Sequence, residues 1–286
     1  MKNQLKKLLF LFPILLILTS CGGFNNSINT AEQTQQIQVS TASAQPFNYQ
    51  TYNSILRKYV NPQGLVDYKK LKENRQQLDD FNAAIGAVSP STYNSWTDSE
   101  KIAFLINAYN SLTLESIIDN YPTKSIRRIP GVWKIRKFDV AGEKMTLDHI
   151  EHQVLRKEFN EPGIHVALVC AAISCPQLRR EAYTSKQLEK QLDDQAKNFL
   201  GNSQGFRIDS QNNAVYFSSI FKWFGQDFEK TYGQNENIDG LNKTETSIVN
   251  YARQYVNSDA QKFLANGGYK VKYSNYDWSL NVQNRE

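Results

Sequence analysis

The sequence contains few of the residues and motifs on which common catalytic sites are built. Of its 286 residues only three are cysteine and three are histidine. It has no phosphate-binding glycine loop, no GxSxG element, no HExxH motif and no internal repeat. These absences argue against a nucleotide-binding loop, a serine hydrolase elbow, a zincin site and a solenoid.

The sequence also lacks a strong excess of charge of one sign. Its formal net charge is +5, but three of the lysines, Lys2, Lys6 and Lys7, lie in the first twenty residues, which hold no acidic residue. The remaining chain carries 30 basic against 28 acidic residues. This near neutrality gives no electrostatic basis for a nucleic-acid partner, and we expect none.

The N-terminus has the pattern of an export signal. A basic start is followed by the apolar run Leu8 to Leu18, which predicts a cleaved signal peptide over residues 1–20. The next residues, Leu18-Thr19-Ser20-Cys21, resemble the lipobox of bacterial lipoproteins, so we predict that Cys21 is lipidated and anchors the protein in a membrane. The alternative is an ordinary signal peptide followed by a chance cysteine. Gly22 favours, by resemblance to Gram-negative lipoproteins, an outer-membrane protein facing the periplasm.

The rest of the chain divides into a tether and a folded part. Residues 22–46 are rich in Asn, Gln, Ser and Thr, with Glu32 as their only charge, so residues 21–46 are predicted to be the lipidated cysteine and a flexible tether. We expect residues 47–286 to form a single globular domain. Predicted helices alternate irregularly with hairpins, which indicates an α+β domain with several helices around a mostly antiparallel sheet. The predicted helices span 47–60, 71–88, 97–120, 147–159, 184–200, 219–232 and 246–256, with strands at 64–68 and 269–273 and hairpins at 134–145 and 206–218.

One stretch, residues 163–183, concentrates reactive side chains. The apolar run from Ile164 to Cys170 predicts a buried strand, which would place His165 and Cys170 on opposite faces. Cys175 follows in a turn that could bring its sulfur back to His165, so it is the candidate nucleophile. The alternative is a disulfide between Cys170 and Cys175, which an oxidising compartment would favour and which would disarm the nucleophile.

Other polar residues are candidates for supporting roles. Glu151 lies inside the apolar arc of its predicted helix, with His149 and His152 on the opposite face, so we expect it to face the interior. Asn107 and Asn110 lie on a predicted buried helix, where they either tie down backbone or line a polar site. The histidines lack regular metal-ligand spacing, so no metal site and no cofactor are predicted.

Five segments together resemble a known family. They are FLINAYNS (104–111), LDHIEHQVLR (147–156), HVALVCAAISCPQLRREAY (165–183), FKWFGQDF (221–228) and YDWSLN (276–281). In this order they are similar to domain of unknown function 547, over about residues 47–281. The resemblance implies one domain and directs attention to Asn107, Glu151, His165 and Cys175, but it implies no substrate or reaction.

Two functions from different classes follow from these residues. The first is a thiol-dependent hydrolase or acyl transferase of the cell envelope acting on an amide or peptide bond. In it Cys175 is the nucleophile, His165 the base, and Glu151 or Asn107 orients the imidazole. Arg179 and Asn110 are its candidate substrate-binding residues. The second is a noncatalytic binding or assembly lipoprotein, for an unknown envelope partner, in which the same Cys, His and Glu residues form a structural polar core.

Replacing the predicted lipidation site should release the protein from the membrane. Cys21→Ala removes the thiol that would carry the lipid, so we expect the variant to move to the soluble fraction after cell lysis and centrifugation. Ser20→Ala, which keeps the cysteine, is the matched control. Membrane partitioning of Cys21→Ala in a strain that still cleaves the signal would rule out the lipid anchor.

Overall fold

The computed structural model describes residues 46–234 and 237–283, which belong to one compact unit, Ser43–Glu286. The predicted signal peptide, Cys21 and the tether as far as residue 45 lie outside the described residues. The α-helices in this part, in chain order, are α1 (Gln50–Tyr59), α2 (Tyr68–Glu73), α3 (Gln76–Ala87), α4 (Pro90–Ser95), α5 (Asp98–Asp119), α6 (Arg156–Glu158), α7 (Leu188–Leu200), α8 (Ser219–Phe224), α9 (Glu229–Tyr232), α10 (Lys243–Ala252) and α11 (Ser258–Asn266). The strands are β1 (Phe138–Val140), β2 (Glu143–Met145), β3 (Phe206–Asp209), β4 (Ala214–Phe217) and β5 (Lys270–Tyr273).

The long helix α5 lies at the centre of the first hydrophobic core. It begins with the predicted capping box: the Glu100 amide donates to Thr97 Oγ1 at 3.3 Å, and the Thr97 amide donates to Glu100 Oε2 at 2.8 Å. Apolar residues cover most of its circumference and are almost completely buried, as the sequence predicts. Helices α2 and α3 pack directly on it. Because α5 is buried on nearly all sides, its few polar side chains must find partners inside the protein.

A second hydrophobic core surrounds the three-stranded sheet. Its aromatic centre contains Phe217, Phe221, Phe228 and Tyr251, and helices α10 and α11 complete it. In residues 164–169 the side chains contribute to both cores: Ile164 and Leu168 belong to the first, and Val166 belongs to the second. The stretch that the sequence singles out therefore lies at the junction of the two cores.

The predicted hairpins form as antiparallel pairs. Strand β1 pairs with β2, with Phe138 opposite Met145, and β3 pairs with β4, with Phe206 opposite Phe217. The last predicted strand, β5, adds to β4 in parallel after helices α8 to α11, with Phe217 opposite Tyr273. The predicted α+β class with a mostly antiparallel arrangement is confirmed.

The buried strand predicted from Ile164 to Cys170 is wrong. Pro162–Val166 is a 3-10 helix, and irregular backbone follows it. Asn110 on α5 replaces the missing sheet partner, because its amide donates to the Ala167 carbonyl at 3.0 Å and accepts from the Val169 amide at 2.8 Å. A short apolar run shows burial but not the conformation in which it is buried, and this explains the error.

Smaller corrections have local causes. The predicted strand at 64–68 is only a pair of bridges from Val66 to Val60 and Val282, because α2 begins at Tyr68. The predicted helix 71–88 is divided between α2 and α3. Thr184 makes no side-chain capping bond, and a 3-10 turn precedes α7, which ends before Gly201 as predicted. The predicted helix 219–232 is divided into α8, a 3-10 turn and α9.

No helix within residues 46–234 or 237–283 is long and apolar enough to span a bilayer.

Candidate functional site

A cavity of about 280 Å³ lies at the junction of the two cores. Six aromatic side chains line it: Tyr109, Trp133, Trp223, Phe224, Tyr276 and Trp278. Glu151, His165, Cys170 and Cys175 also reach its wall. The structure therefore brings together three of the side chains predicted to form the site, Glu151, His165 and Cys175.

A larger depression of about 1010 Å³ lies elsewhere on the surface and is not the candidate site. It is lined by side chains such as Lys69, Lys70 and Glu73 from α2, which are exposed to solvent. It contains none of the predicted site residues. Binding sites are marked by mostly apolar walls with a few convergent polar groups, and the smaller cavity has this character.

The aromatic side chains of the cavity contact one another and form a continuous wall. The Trp278 ring lies 4.6 Å from that of Tyr276, 5.9 Å from that of Trp223 and 6.1 Å from that of Trp133, between centroids. Trp223 stays 46% exposed and is one of two large hydrophobic side chains that do so among the described residues. An exposed tryptophan continuous with a partly buried aromatic wall marks the mouth of the cavity.

A π-helix, His149–Leu155, carries Glu151 and His152 into the same cavity. Its start is capped as predicted after Thr146, whose hydroxyl accepts the His149 amide at 3.0 Å. The prediction that Glu151 and His152 lie on opposite faces of the helix is wrong. It assumes the 100° rotation per residue of an α-helix, whereas a π-helix rotates by less per residue. His149 points to solvent, as predicted.

The Glu151 carboxyl is the cavity's most perturbed acid. Burial raises its pKa to about 7, against the opposing effects of a hydrogen bond with Tyr109 and the positive charge of Arg156. A carboxyl with such a pKa exchanges a proton near neutral pH. The predicted inward placement of Glu151 is therefore found, in the cavity wall.

His165 is held by an acid that the sequence reasoning missed. Its Nε2 lies 2.7 Å from Asp227 Oδ2, and its ring stacks on Phe224 at 4.3 Å between centroids. Arg156 donates two hydrogen bonds to the same carboxylate, from Nε to Oδ2 at 2.6 Å and from Nη2 to Oδ1 at 2.9 Å. Burial lowers the pKa of His165 despite the carboxylate, so the imidazole is neutral at pH 7. Burial raises the pKa of Asp227, but the bonds from His165 and Arg156 outweigh it and hold that pKa well below its usual range.

The signal for Asp227 was present in the sequence. It is the single acidic residue of the segment FKWFGQDF, in which four of the eight residues are aromatic. An acid in such a segment needs a partner when it packs. Its partner could not be identified, because His165 is 62 residues away along the chain.

The two cysteines of the central stretch are bonded to each other as a disulfide. The Cys170 amide donates to Cys175 Sγ at 2.9 Å, and the Tyr276 hydroxyl lies 3.2 Å from each sulfur. The intervening loop is held by the C-terminal segment, since the Ile173 amide donates to the Ser279 carbonyl at 2.9 Å. Of the two alternatives left open by the sequence, the structure has the disulfide.

The remaining predicted site residues lie outside the cavity wall. The Asn107 side chain donates to the Tyr183 carbonyl at 2.8 Å and accepts from the Tyr183 amide at 3.0 Å, and Asn110 makes the matching pair of bonds described above. Both therefore tie down backbone. Arg179 binds Glu181 and the Gln191 carbonyl and lines a separate surface depression. The structure therefore does not bring Asn107, Asn110 or Arg179 to the cavity that holds Cys175.

Metal binding finds no arrangement of ligands in the described residues. Within 46–234 and 237–283, no group of three or more His, Cys, Asp or Glu side chains is placed to hold a metal ion. His165, which lines the cavity, is instead bound to Asp227, and Asp227 also binds Arg156.

The fold and site define a class of α+β protein with an aromatic cavity that contains a titrating carboxyl and a disulfide in its wall. Residues 93–200 match the family described as protein of unknown function, DUF547, which supports the presence of that domain in this chain. The matched range contains Glu151, His165 and both cysteines, and it confirms the resemblance over these residues. No curated protein and no solved structure shows significant similarity to the chain.

The raised pKa of Glu151 predicts a specific loss of stability with rising pH. The unfolded chain releases this proton near pH 4.5 and the folded protein near pH 7, so the unfolded state binds fewer protons between these values. The free energy of unfolding should therefore fall by roughly 2 to 3 kcal/mol from pH 4.5 to 7, relative to Glu151→Gln, and stay level above pH 7. Urea unfolding at several pH values measures this difference. Glu143→Gln, at an exposed strand position, is the control, and equal pH slopes for the wild type and Glu151→Gln would contradict the assignment.

Proposed function

We propose that this protein is a noncatalytic binding lipoprotein of the cell envelope, whose ligand enters the aromatic cavity. The observation that carries this proposal is that an aromatic cavity remains open while both candidate catalytic side chains are engaged. Cys175 is bonded to Cys170, and His165 is bound by Asp227. These contacts favour the binding function over the hydrolase.

The lining of the cavity indicates the chemistry of the ligand. Six aromatic rings offer flat apolar surface, and Glu151 provides a carboxyl that accepts hydrogen bonds when ionised. Aromatic walls beside a carboxylate attract cations as well as apolar rings. The volume suits a small ligand, or one ring and its substituent from a larger molecule. The ligand class is therefore an apolar or aromatic group that carries an ammonium group or a comparable donor.

The polar residues behind the cavity support its shape. Arg156, Asp227 and His165 come from three separate segments and form one connected set of charge-assisted bonds. The partly buried carboxylate of Asp227 is satisfied by its two partners, and removing one of them would weaken this set of bonds. These residues therefore hold Phe224, on which the His165 ring stacks, in the cavity wall.

The location of the protein is part of the same proposal. The predicted lipid on Cys21 would anchor it to the outer membrane, facing the periplasm. A flexible tether of about 25 residues would give the domain a root-mean-square reach of roughly 25 to 30 Å from that surface. Ligands at or near the membrane surface would then be within reach of the cavity.

Benzylamine should bind in the cavity, and benzoate should not. The benzyl ring fits the aromatic wall, and the ammonium group meets Glu151, which is ionised at pH 8, whereas benzoate would place two carboxylates together. Trp133, Trp223 and Trp278, three of the four tryptophans, line the cavity, so intrinsic fluorescence reports binding. We expect benzylamine to change this fluorescence in a saturable way. We expect Glu151→Gln to weaken its binding about tenfold, since a charge-assisted bond is lost.

The matched control is Glu143→Gln, which removes an exposed carboxylate of strand β2 that does not line the cavity, and it should bind like the wild type. No saturable benzylamine signal at millimolar concentration would contradict the proposal. Equal benzylamine affinity of Glu151→Gln and the wild type would contradict the contact between the ligand's ammonium group and Glu151.

The second candidate, favoured by the His165 to Asp227 contact, is a thiol-dependent hydrolase or acyl transferase acting on an amide or peptide bond. A base oriented by a third group is the arrangement that activates a cysteine nucleophile, and His165 lines the same cavity as Cys175. In this function Asp227 takes the orienting role assigned from the sequence to Glu151 or Asn107. Cys175 would be active only after reduction of its bond to Cys170.

Alkylation of the fully reduced, folded domain separates the two functions. If His165 activates Cys175, iodoacetamide should modify Cys175 faster than free cysteine at neutral pH and much more slowly in His165→Ala. His149→Ala, which changes a solvent-facing histidine, is the control. Site-resolved mass spectrometry measures each cysteine. An unreactive Cys175 in a folded, reduced sample would eliminate the hydrolase.

A further inference from the structure

The disulfide differs from a buried structural bridge in its position. Both sulfur-bearing residues line the cavity, on the side of the Tyr276 ring. Cys170 is partly exposed, whereas Cys175 is 8% exposed. An incoming group in the cavity therefore reaches the Cys170 sulfur more easily than the Cys175 sulfur.

The two sulfurs also differ in their hydrogen-bond donors. Cys175 Sγ accepts the Cys170 backbone amide at 2.9 Å and lies 3.2 Å from the Tyr276 hydroxyl. Among the described residues, the donor found near Cys170 Sγ is the Tyr276 hydroxyl alone, also at 3.2 Å. Donors directed at one sulfur stabilise negative charge on it, and a charged acceptor strengthens each of these bonds. Cys175 is therefore the sulfur that is better prepared to become a thiolate.

The donors stay in place when the bridge opens. Packing of the Tyr276 ring against Trp223 at 4.9 Å and Trp278 at 4.6 Å fixes its hydroxyl. Burial raises the pKa of that hydroxyl, so it remains protonated and able to donate. The loop between the cysteines is held through bonds from Ile173 to Ser279 and from Asn281 to Ala171. The backbone donor at Cys170 is thus kept near the released sulfur.

We propose that Cys170 and Cys175 form a thiol–disulfide exchange site, in which the thiolate of an apolar thiol attacks Cys170 and Cys175 is the leaving group. The substrate sulfur forms a bond to Cys170 Sγ, and the bond between the two cysteines breaks with its electron pair on Cys175 Sγ. A second substrate thiolate then attacks the substrate sulfur of the mixed disulfide. The bond to Cys170 Sγ breaks with its electron pair on Cys170 Sγ, and the two substrate sulfurs leave as a disulfide. The two protein sulfurs take up two protons, so two thiols are oxidised and the protein disulfide is reduced.

The walls of the site select the substrate. A thiol that approaches Cys170 passes Trp223 and Trp278, which favour an apolar or aromatic group attached to the sulfur. This activity goes beyond the proposed binding function and uses different atoms, because ligand binding at Glu151 requires no sulfur chemistry. Failure of one therefore leaves the other standing.

Benzyl mercaptan and 2-mercaptoethanol are suitable probes for the oxidised, folded mature protein. After acid quenching, the released protein thiol is alkylated and both cysteines are assigned by mass spectrometry. We expect the probe on Cys170 and the alkyl group on Cys175. Benzyl mercaptan should open the disulfide about tenfold faster than 2-mercaptoethanol, after correction for their rates with a small model disulfide, since burial of the ring favours its approach.

The Tyr276→Phe variant tests the donor on the leaving sulfur. It keeps the ring and removes the hydroxyl, so opening by benzyl mercaptan should slow about tenfold. Tyr273→Phe, in strand β5 and outside the cavity, is the matched control and should keep the wild-type rate. Near-ultraviolet circular dichroism confirms folding of both variants. The proposal is overturned by the probe on Cys175 with Cys170 alkylated, by equal corrected rates for the two thiols, or by a folded wild-type protein whose disulfide does not open. None of these three measurements needs a variant.

Discussion

The segment that holds His165 and the cysteines follows its course because one buried amide on α5 fixes it. Asn110 uses both ends of its side chain, donating to Ala167 and accepting from Val169. A buried backbone donor or acceptor must be paired, and within the described part of the chain no strand pairs with residues 167–169. The amide therefore allows irregular backbone to pass through the interior, and Asn107 does the same for Tyr183 one turn away on α5.

This arrangement places the site where the two cores meet. Ile164 packs in one core and Val166 in the other, so the side chain between them, His165, lies at the boundary. Its partner Asp227 is bound in turn by Arg156, which follows the π-helix that carries Glu151. A boundary between two packed cores leaves space that neither fills, and the aromatic side chains of the cavity line that space.

The sequence predicts well what is decided locally. The capping box at Thr97 and the two hairpins depend on residues close to one another in the chain, and each forms as predicted. The prediction of a strand at 164–170 is wrong because burial alone does not distinguish a strand from irregular backbone that is hydrogen-bonded by a distant side-chain amide. The predicted assignment of residues 149–155 to helix faces is wrong for His152, because a π-helix changes the angular spacing on which the prediction depends.

For the site, chemistry could be predicted better than position. Glu151, His165 and Cys175 were selected by residue type, and all three line one cavity. Their partners were beyond local reasoning, since Asp227 lies 62 residues from His165 and Tyr276 lies 101 residues from Cys175. Such pairs form only when the chain closes long loops, and sequence periodicity carries no information about them.

The wall formed by Tyr276 and Trp278 has a consequence for modularity. The family match covers residues 93–200, which contain Glu151, His165 and both cysteines but not Trp223, Asp227, Tyr276 or Trp278. A chain shortened to the matched region would keep the reactive groups and lose four of the six aromatic side chains that line the cavity. The reactive side chains and most of the aromatic wall around them therefore come from different parts of the chain. Two proteins that share the matched region can therefore differ in the ligand that their cavities bind.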